Sequence, residues 1–306
     1  MSVMPDEVVE ALVTRPDGIY VDCTLGGAGH SLLIASKLSA DGIIIGIDQD
    51  AEAIEAATNR LQNVRCQVKI IRNNFSQLDK ILSDCGIDEV DGILFDLGVS
   101  SHQIDTAERG FSYMHDAPLD MRMNQSQEFS ARDVVNDYDE EALYKIFHDY
   151  GEERFSNRIA KAIVVARKIK PIDTTAELVK IIEKTAPFVS KKSGHPAKRV
   201  FQAIRIEVNN ELGILEEAVN TAVNHLKVGG RIAVITFHSL EDRIIKSTFK
   251  TLATDCICPK DFPVCVCNHK AQIKILGKQI TATNEELNKN PRAKSAKLRV
   301  AEKISI

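Results

Sequence analysis

The sequence lacks any apolar run approaching the ~20 residues that a membrane-spanning helix needs. It also lacks a basic-then-apolar opening of the kind that directs secretion, since it begins Met1-Ser2-Val3-Met4-Pro5-Asp6-Glu7. Both absences lead to the expectation of a cytoplasmic protein with no membrane partner. There is no even complement of cysteines either. Seven thiols in 306 residues without a secretion signal predict reduced cysteines rather than a disulfide framework. Nor is there an excess of positive charge: the formal net charge is −4, so any nucleic-acid partner has to be held by local basic patches. What is present, 44% hydrophobic and 27% charged residues, suffices to bury a full core in one large domain or two modest ones.

The chain is organised around Tyr20-Val21-Asp22-Cys23-Thr24-Leu25-Gly26-Gly27-Ala28-Gly29-His30, where an apolar strand meets an acidic residue, a glycine-rich turn and then a helix over about 30–38. Glycines 26, 27 and 29 remove Cβ atoms that would keep a ligand off the backbone. The helix turns its free N–H groups and positive dipole end toward the same spot. The stretch reads as a socket for a polar or anionic small molecule.

Strands are expected at 18–25, 42–48, 67–75 and 90–98, with helix-length segments between them, among them 51–61 and 76–84. Near-continuous apolar strands alternating with helices mean a parallel sheet covered on both faces. Ligands bind such sheets at the carboxyl ends of the strands. The groups expected there are Asp22 and the glycine turn, Asp48, Asn74-Phe75, and Asp96-Leu97-Gly98. Asp48, 19 residues after Gly29, stands where a carboxylate grips a ribose diol; Phe75 can stack on a base or serve only as core. Asp96 follows Ile93-Leu94-Phe95, which would bury a carboxylate at a cost unless it had partners, and is the first choice for chemistry.

A complete dinucleotide fingerprint is also missing, because the sixth position counted from Gly27 is Leu32 rather than glycine. Asp22 before the turn, Asp48 after strand two and an acidic strand four resemble instead a class I methyltransferase, the fold that holds S-adenosylmethionine. Beyond strand four, a polar and aromatic segment (Val99–Asp105, then Glu108–Tyr113 and Asp116–Met123) reads as a substrate-facing loop. The strings DLGVSS, ERGFSY, PLDMRM, GEERFSNRIA, HPAKRVFQAIRIEVN, ITFHSLEDR and NPRAKSAKLRVAEK closely resemble the bacterial ribosomal RNA small subunit methyltransferase H family, over nearly the whole chain. The resemblance implies an α/β, Rossmann-like, S-adenosylmethionine-dependent methyltransferase with an inserted helical domain. It implies methylation of N4 of a cytidine in the decoding region of 16S small-subunit ribosomal RNA, within an assembled or nearly assembled small subunit, with no DNA partner. The family's cofactor contacts carry over to Ala28, Gly29, His30, Asp48, Phe75, Asp96 and Gln103. The chain departs from the family at His102, where proline is frequent, and starts a few residues later than the family usually does.

The middle of the chain abandons the strand-helix alternation. Residues 152–170 and 175–186 carry apolar stripes that Pro171 and Pro187 terminate, and 196–226 carries Phe201, Ile204, Val208, Leu212, Leu215, Val219, Ala222 and Leu226 at spacings of three and four. The last segment is expected to return the chain to the sheet. The predicted division is therefore a core of residues 1–104 and 195–306 with an insertion at 105–194 for substrate recognition. Two basic clusters, at 188–199 (Lys191, Lys192, Lys198, Arg199) and 289–303, are phosphate-contact candidates or solvated surface. No RNP-type aromatic motif accompanies them.

Cys256, Cys258, Cys265 and Cys267, with His269 nearby, have ligand chemistry for zinc. Their C-x-C spacing is less diagnostic than C-x-x-C, and the expectation is reduced loop thiols with no metal. His238, in Phe237-His238-Ser239-Leu240-Glu241-Asp242, is the second catalytic candidate beside Asp96; it either orients the base or a water, or holds the helix start. Two rival functions stay open. A DNA amino-methyltransferase would carry D/N/S-P-P-Y/F where this chain has Asp96-Leu97-Gly98-Val99. A ribosome-assembly factor would bind cofactor and target without essential turnover.

Overall fold

The computed structural model describes residues 2–186, 195–259 and 264–305, and the chain separates into two compact units, residues 1–98 with 212–306 and residues 99–211. The first is an eight-stranded sheet: β1 (Ile19–Asp22), β2 (Ile43–Asp48), β3 (Gln67–Arg72), β4 (Val90–Asp96), β5 (Leu226–Thr236), β6 (Ile273–Ile275), β7 (Ile280–Thr281) and β8 (Lys297–Lys303). The order is β3-β2-β1-β4-β5-β8-β6, parallel from β3 to β5, with β8 antiparallel to β5 and with β6 and β7 both pairing to β8.

Successive residues of an extended chain point to opposite faces, and here both faces are apolar. Val21, Ile45, Ile93, Phe95, Ile232 and Val234 enter one layer, closed by Leu78, Leu215, Val219, Ile245 and Phe249 from the helices Leu78–Asp84, Leu215–Asn224 and Ser239–Leu252. Tyr20, Ile44, Leu94, Ala233 and Ile235 enter the other, closed by Val8, Leu12, Ile34 and Ala35 from Pro5–Leu12 and Gly29–Lys37. Each fully buried aliphatic contributes about 1.5–3 kcal/mol, so a one-residue slip of any central strand, which exchanges its faces, would disrupt both layers. Glycine inside β2 has its own reason. A Cβ on Gly46 would stand 2.6 Å from Leu25 Cδ1, so the glycine is what admits the turn's leucine to the sheet.

The second unit is helical: after the short helix Ser101–Asp105, the helices Ala131–Asp137, Glu140–Asp149, Ser156–Arg167, Thr175–Thr185 and Ala197–Asn209 pack around Val134, Phe147, Ile159, Ile163, Leu178, Ile182, Val200, Phe201 and Ile204. Its limits differ from the expected 105–194. The segment 196–226 is two helices rather than one, broken where Asn210 takes a left-handed conformation (φ 49°), a C-cap that asparagine tolerates. The helix before the break buries its stripe in this unit, and the helix after it packs on the sheet. The amphipathic pattern runs through both, so periodicity alone did not reveal the change of unit.

Candidate active site

The turn after β1 is sewn into the sheet by its own backbone. Cys23 N–H donates to the Leu94 carbonyl at 2.9 Å, Leu25 N–H to the Ile47 carbonyl at 2.9 Å, and Asp96 N–H to Thr24 Oγ1 at 2.6 Å. These bonds draw the ends of β1, β2 and β4 together at one edge of the first unit. Gly26 turns at φ +47° and Ala28, also left-handed at φ 58°, caps the helix Gly29–Lys37. A residue with a side chain pays for that conformation, and the bonds around it hold it there. Among the described residues, none beyond its chain neighbours comes within 4 Å of the place a Cβ on Gly27 would occupy, so this glycine faces open space. Gly29 does not. A Cβ there would stand 2.0 Å from Ser2 Oγ, so the amino-terminal segment of the chain, rather than a ligand, takes up that clearance.

His30 lies beneath the turn, 4% exposed. Its Nε2 reaches the Val3 carbonyl at 2.8 Å and its Nδ1 stands 3.4 Å from Asp96 Oδ2. Burial pulls the imidazole pKa down, but the hydrogen bond to Asp96 and the charges of Asp96 and Asp22 outweigh it and carry the group up to about 9. The ring is thus an imidazolium with both N–H groups engaged. What His30 and Gly29 have to offer a ligand is their backbone N–H groups in the first helical turn. Asp22 sits behind this pair, accepting Ser31 Oγ–H at 2.6 Å and the Thr24 N–H at 3.2 Å, with burial raising its pKa.

Two carboxylates face the edge. Asp48 accepts the N–H of Gly26 at 2.7 Å and of Asp50 at 2.9 Å; burial, opposed by those two bonds, raises its pKa to about 6. Asp96 is partly exposed, yet its Oδ1 is buried without a hydrogen-bond partner among the described residues. Beside them Phe75 opens a short turn capped by Asn74 and meets the Phe95 ring edge-on at 5.5 Å and 87°. Half of Phe75 is core and half forms an apolar wall. The edge therefore collects Ala28, Gly29, His30, Asp48, Phe75 and Asp96, six of the expected contacts. Gln103 belongs to the helical unit, where it is buried and its Oε1 accepts the Ser100 N–H at 3.0 Å in a capping box.

His238, the second catalytic candidate, stands at a helix start. It caps the helix Ser239–Leu252, its Nδ1 3.5 Å from the Glu241 N–H, while the Glu241 carboxylate accepts the N–H groups of Phe237 at 2.7 Å and His238 at 3.2 Å. Nε2 approaches Glu241 Oε1 at 3.1 Å without hydrogen-bond geometry. Holding the helix start, the second of the two readings open from the sequence, is what the ring does here. The basic run at 289–303 is also largely structural. Lys297 Nζ and Arg299 Nε each lie 2.8 Å from Asp242, Lys289 pairs with Glu285, and Lys303 is buried with its Nζ on the Asn224 carbonyl. Lys191 and Lys192 lie outside the described residues; Arg199 donates to the Glu152 carbonyl at 3.2 Å.

S-adenosylmethionine presents a cationic sulfonium and ammonium, a ribose diol, a carboxylate and an adenine. The edge presents the complements: the unpartnered oxygen of Asp96, the Asp48 carboxylate, the first-turn N–H groups of a helix, and the wall of Phe75. A model of the MraW methylase family matches residues 1–304. The chain belongs to the MraW methylase family. This MraW methylase is 55% identical over 306 residues to the ribosomal RNA small subunit methyltransferase H of Clostridioides difficile (strain 630), covering 99% of this chain and 98% of the relative. To the protein of the same name from Clostridium botulinum (strain Loch Maree) it is 56% identical over 305 residues, covering 99% and 98%. Among solved structures an rRNA methylase from Streptococcus thermophilus covers 98% of the MraW methylase and 94% of its own chain at 12% identity and a TM-score of 0.42, too distant to add to the assignment. The methylase is an S-adenosylmethionine-dependent enzyme of the Rossmann-like α/β class.

Proposed function

We propose that the protein methylates N4 of a cytidine in the decoding region of 16S small-subunit ribosomal RNA, acting in the cytoplasm on an assembled or nearly assembled small subunit. S-adenosylmethionine supplies the methyl group on a sulfonium sulfur. The observation that carries the reading is the Asp96 carboxylate at the end of β4, held by its backbone N–H and by His30, with Oδ1 buried and without a partner among the described residues. An exocyclic cytosine amine is a weak nucleophile because its lone pair is delocalised into the ring. A fixed acceptor facing its N–H groups localises that pair, and an ionised carboxylate stabilises the positive charge that grows on nitrogen. Asp96 is suited to both tasks. Asp48 would accept the ribose hydroxyls, Ala28, Gly29 and His30 would present backbone to the methionine end, and Phe75 would wall the base. The helical unit would serve the RNA, and Gln103 is the further cofactor contact that the family resemblance implies.

Transfer of labelled methyl groups to small subunits, free ribosomal RNA and DNA tests the reading. Label in a single cytidine of the subunit is expected. Label in DNA alone would make the protein a DNA amino-methyltransferase, and tight cofactor binding with no transfer to any of the three would make it an assembly factor.

A further inference from the structure

The C-x-C spacing predicts loop thiols without a metal, and the fold brings those thiols together. Between the helix Ser239–Leu252 and β6, Cys256, Cys258, Cys265 and Cys267 place their four Sγ atoms within 4.8 Å of one another. Three of them form a triangle with edges of 3.4 Å (Cys256 to Cys265), 3.6 Å (Cys265 to Cys267) and 3.8 Å (Cys256 to Cys267). Four thiolates about 2.3 Å from a zinc ion stand about 3.8 Å apart at the corners of a tetrahedron, so this triangle is one face of such a site, already set. Cys258 supplies the fourth corner, and its sulfur accepts the Val266 N–H at 3.4 Å, the kind of bond that steadies a metal-bound thiolate. All four are free cysteines, and their separations lie far from the ~2.05 Å of a disulfide.

Among the described residues of this loop, no apolar core holds the two arms together. Its aliphatic side chains face solvent, with Ile257 53%, Val264 69% and Val266 67% exposed, so burial of apolar surface does not explain why the two C-x-C arms meet. The base of the loop is closed independently: Gln272 N–H donates to the Leu252 carbonyl at 2.8 Å, Ala271 N–H to Asp255 Oδ1 at 3.3 Å, and His269 Nε2 to the Thr251 carbonyl at 2.9 Å. The last bond employs His269 as a tether and leaves the four sulfurs as the ligand set. A tight ring of four sulfurs on a loop whose described residues form no apolar core is the arrangement of a structural metal site rather than of a catalytic one, because no corner is left for water or substrate.

We propose that Cys256, Cys258, Cys265 and Cys267 bind one zinc ion that staples the two C-x-C arms of the loop to each other. No oxidation is involved. Each thiol that is protonated in the free protein gives its proton to solvent as its Zn–S bond forms, and the closed site carries a net charge of −2.

The test is the full-length protein, without an affinity tag that binds metal, purified without chelator. Elemental analysis is expected to find one zinc per chain, and fewer than a tenth of that in Cys258→Ser/Cys267→Ser. The single variant Cys267→His, which keeps four ligands, is expected to retain zinc. Metal-stripped protein refilled with cobalt(II) should develop the sulfur-to-metal charge-transfer absorption of a thiolate site, and the double variant should not. Hydrogen exchange at 253–272 should accelerate on chelation while the central strands stay protected, which separates loss of the staple from loss of the fold. Three results would each overturn the proposal: zinc content unchanged in the double variant, a wild-type mass four hydrogens short of the reduced chain because the thiols have paired as disulfides, or metal-free protein with four reactive thiols and a loop as protected as before.

Discussion

His30 Nδ1 lies 3.4 Å from Asp96 Oδ2 while the opposite ring nitrogen is tied to the Val3 carbonyl, so one imidazolium joins the amino-terminal segment, the first helical turn of the glycine-rich motif and the carboxylate proposed for the chemistry. The arrangement gives His30 a positioning role toward Asp96. It also keeps a cation beside a carboxylate that would otherwise end an apolar strand at considerable cost.

The pairing predicts a pH dependence of stability. The His30 pKa is about 9 in the folded protein against 6.5 ordinarily. Below pH 6.5 both folded and unfolded states hold the proton, and the contribution is fully present. Between about 6.5 and 9 only the folded state retains it, so stability falls as pH rises, by on the order of 3 kcal/mol across the window. Denaturant midpoints at pH 6, 7.5 and 9 should show this decline in the wild type and a flatter profile in His30→Gln. An unchanged slope in the variant would remove His30 as its source.

Asp48 predicts the opposite sign for cofactor affinity. Burial raises its pKa to about 6, and hydroxyl donors favour the ionised form, so affinity for S-adenosylmethionine should hold above pH 6 and weaken below it, by at most about tenfold per pH unit. Asp48→Asn should lose about 10- to 150-fold in affinity, the worth of charge-assisted hydrogen bonds, and should lose the pH dependence with it. The asparagine is preferable to alanine because the carboxylate also holds the Gly26 N–H at 2.7 Å, and emptying the position would release the turn. Calorimetry at pH 5 and 8 decides; an asparagine variant with wild-type affinity at both would take Asp48 out of the site.

Much of this edge is legible in the sequence because strand ends are marked by abrupt changes of residue type. Ile47 gives way to Asp48 and Phe95 to Asp96, and the glycine turn separates β1 from its helix. What escaped was whatever depends on partners distant in the chain. Nothing local tells that Ser2 fills the clearance over Gly29 or that Val3 anchors His30. The 289–303 run reads as basic surface because nothing nearby in the sequence points to Asp242, 55 residues before Lys297, which pairs with both Lys297 and Arg299. Its alternation of Leu298 and Val300 with Lys297 and Arg299 was the available sign of strand β8. His238 was the reverse case: Glu241 three residues later is a capping-box signature, and the structure makes it one.

The division into units predicts separable functions. Because the sheet unit keeps its own apolar layers from residues 1–98 and 212–306, replacing 99–211 by a short flexible linker should leave a folded protein that binds S-adenosylmethionine, weakened by whatever Gln103 contributes, and transfers no methyl group to small subunits. Full transfer by the shortened protein would show that the helical unit does not serve the RNA.

The last prediction concerns Asp96 itself. Asp96→Asn keeps the shape of the side chain and the backbone bond to Thr24 Oγ1, but it removes the charge that faces His30 and the developing charge on the substrate amine. Loss of one preorganised electrostatic partner commonly costs on the order of 10²–10³ in turnover, and that loss should appear in kcat at saturating cofactor rather than in affinity alone. Cofactor binding has to be measured on the same variant, because Asp96 is also proposed as a cofactor contact. The variant should also shed the stability decline between pH 6.5 and 9, since the cation on His30 then lacks the partner that raised its pKa. That second readout keeps the two roles apart. A variant with weakened binding, normal kcat once saturated and a flattened pH profile would leave Asp96 as a cofactor ligand paired to His30, and would send the search for the group that faces the amine to the helical unit's loop beyond Gly98.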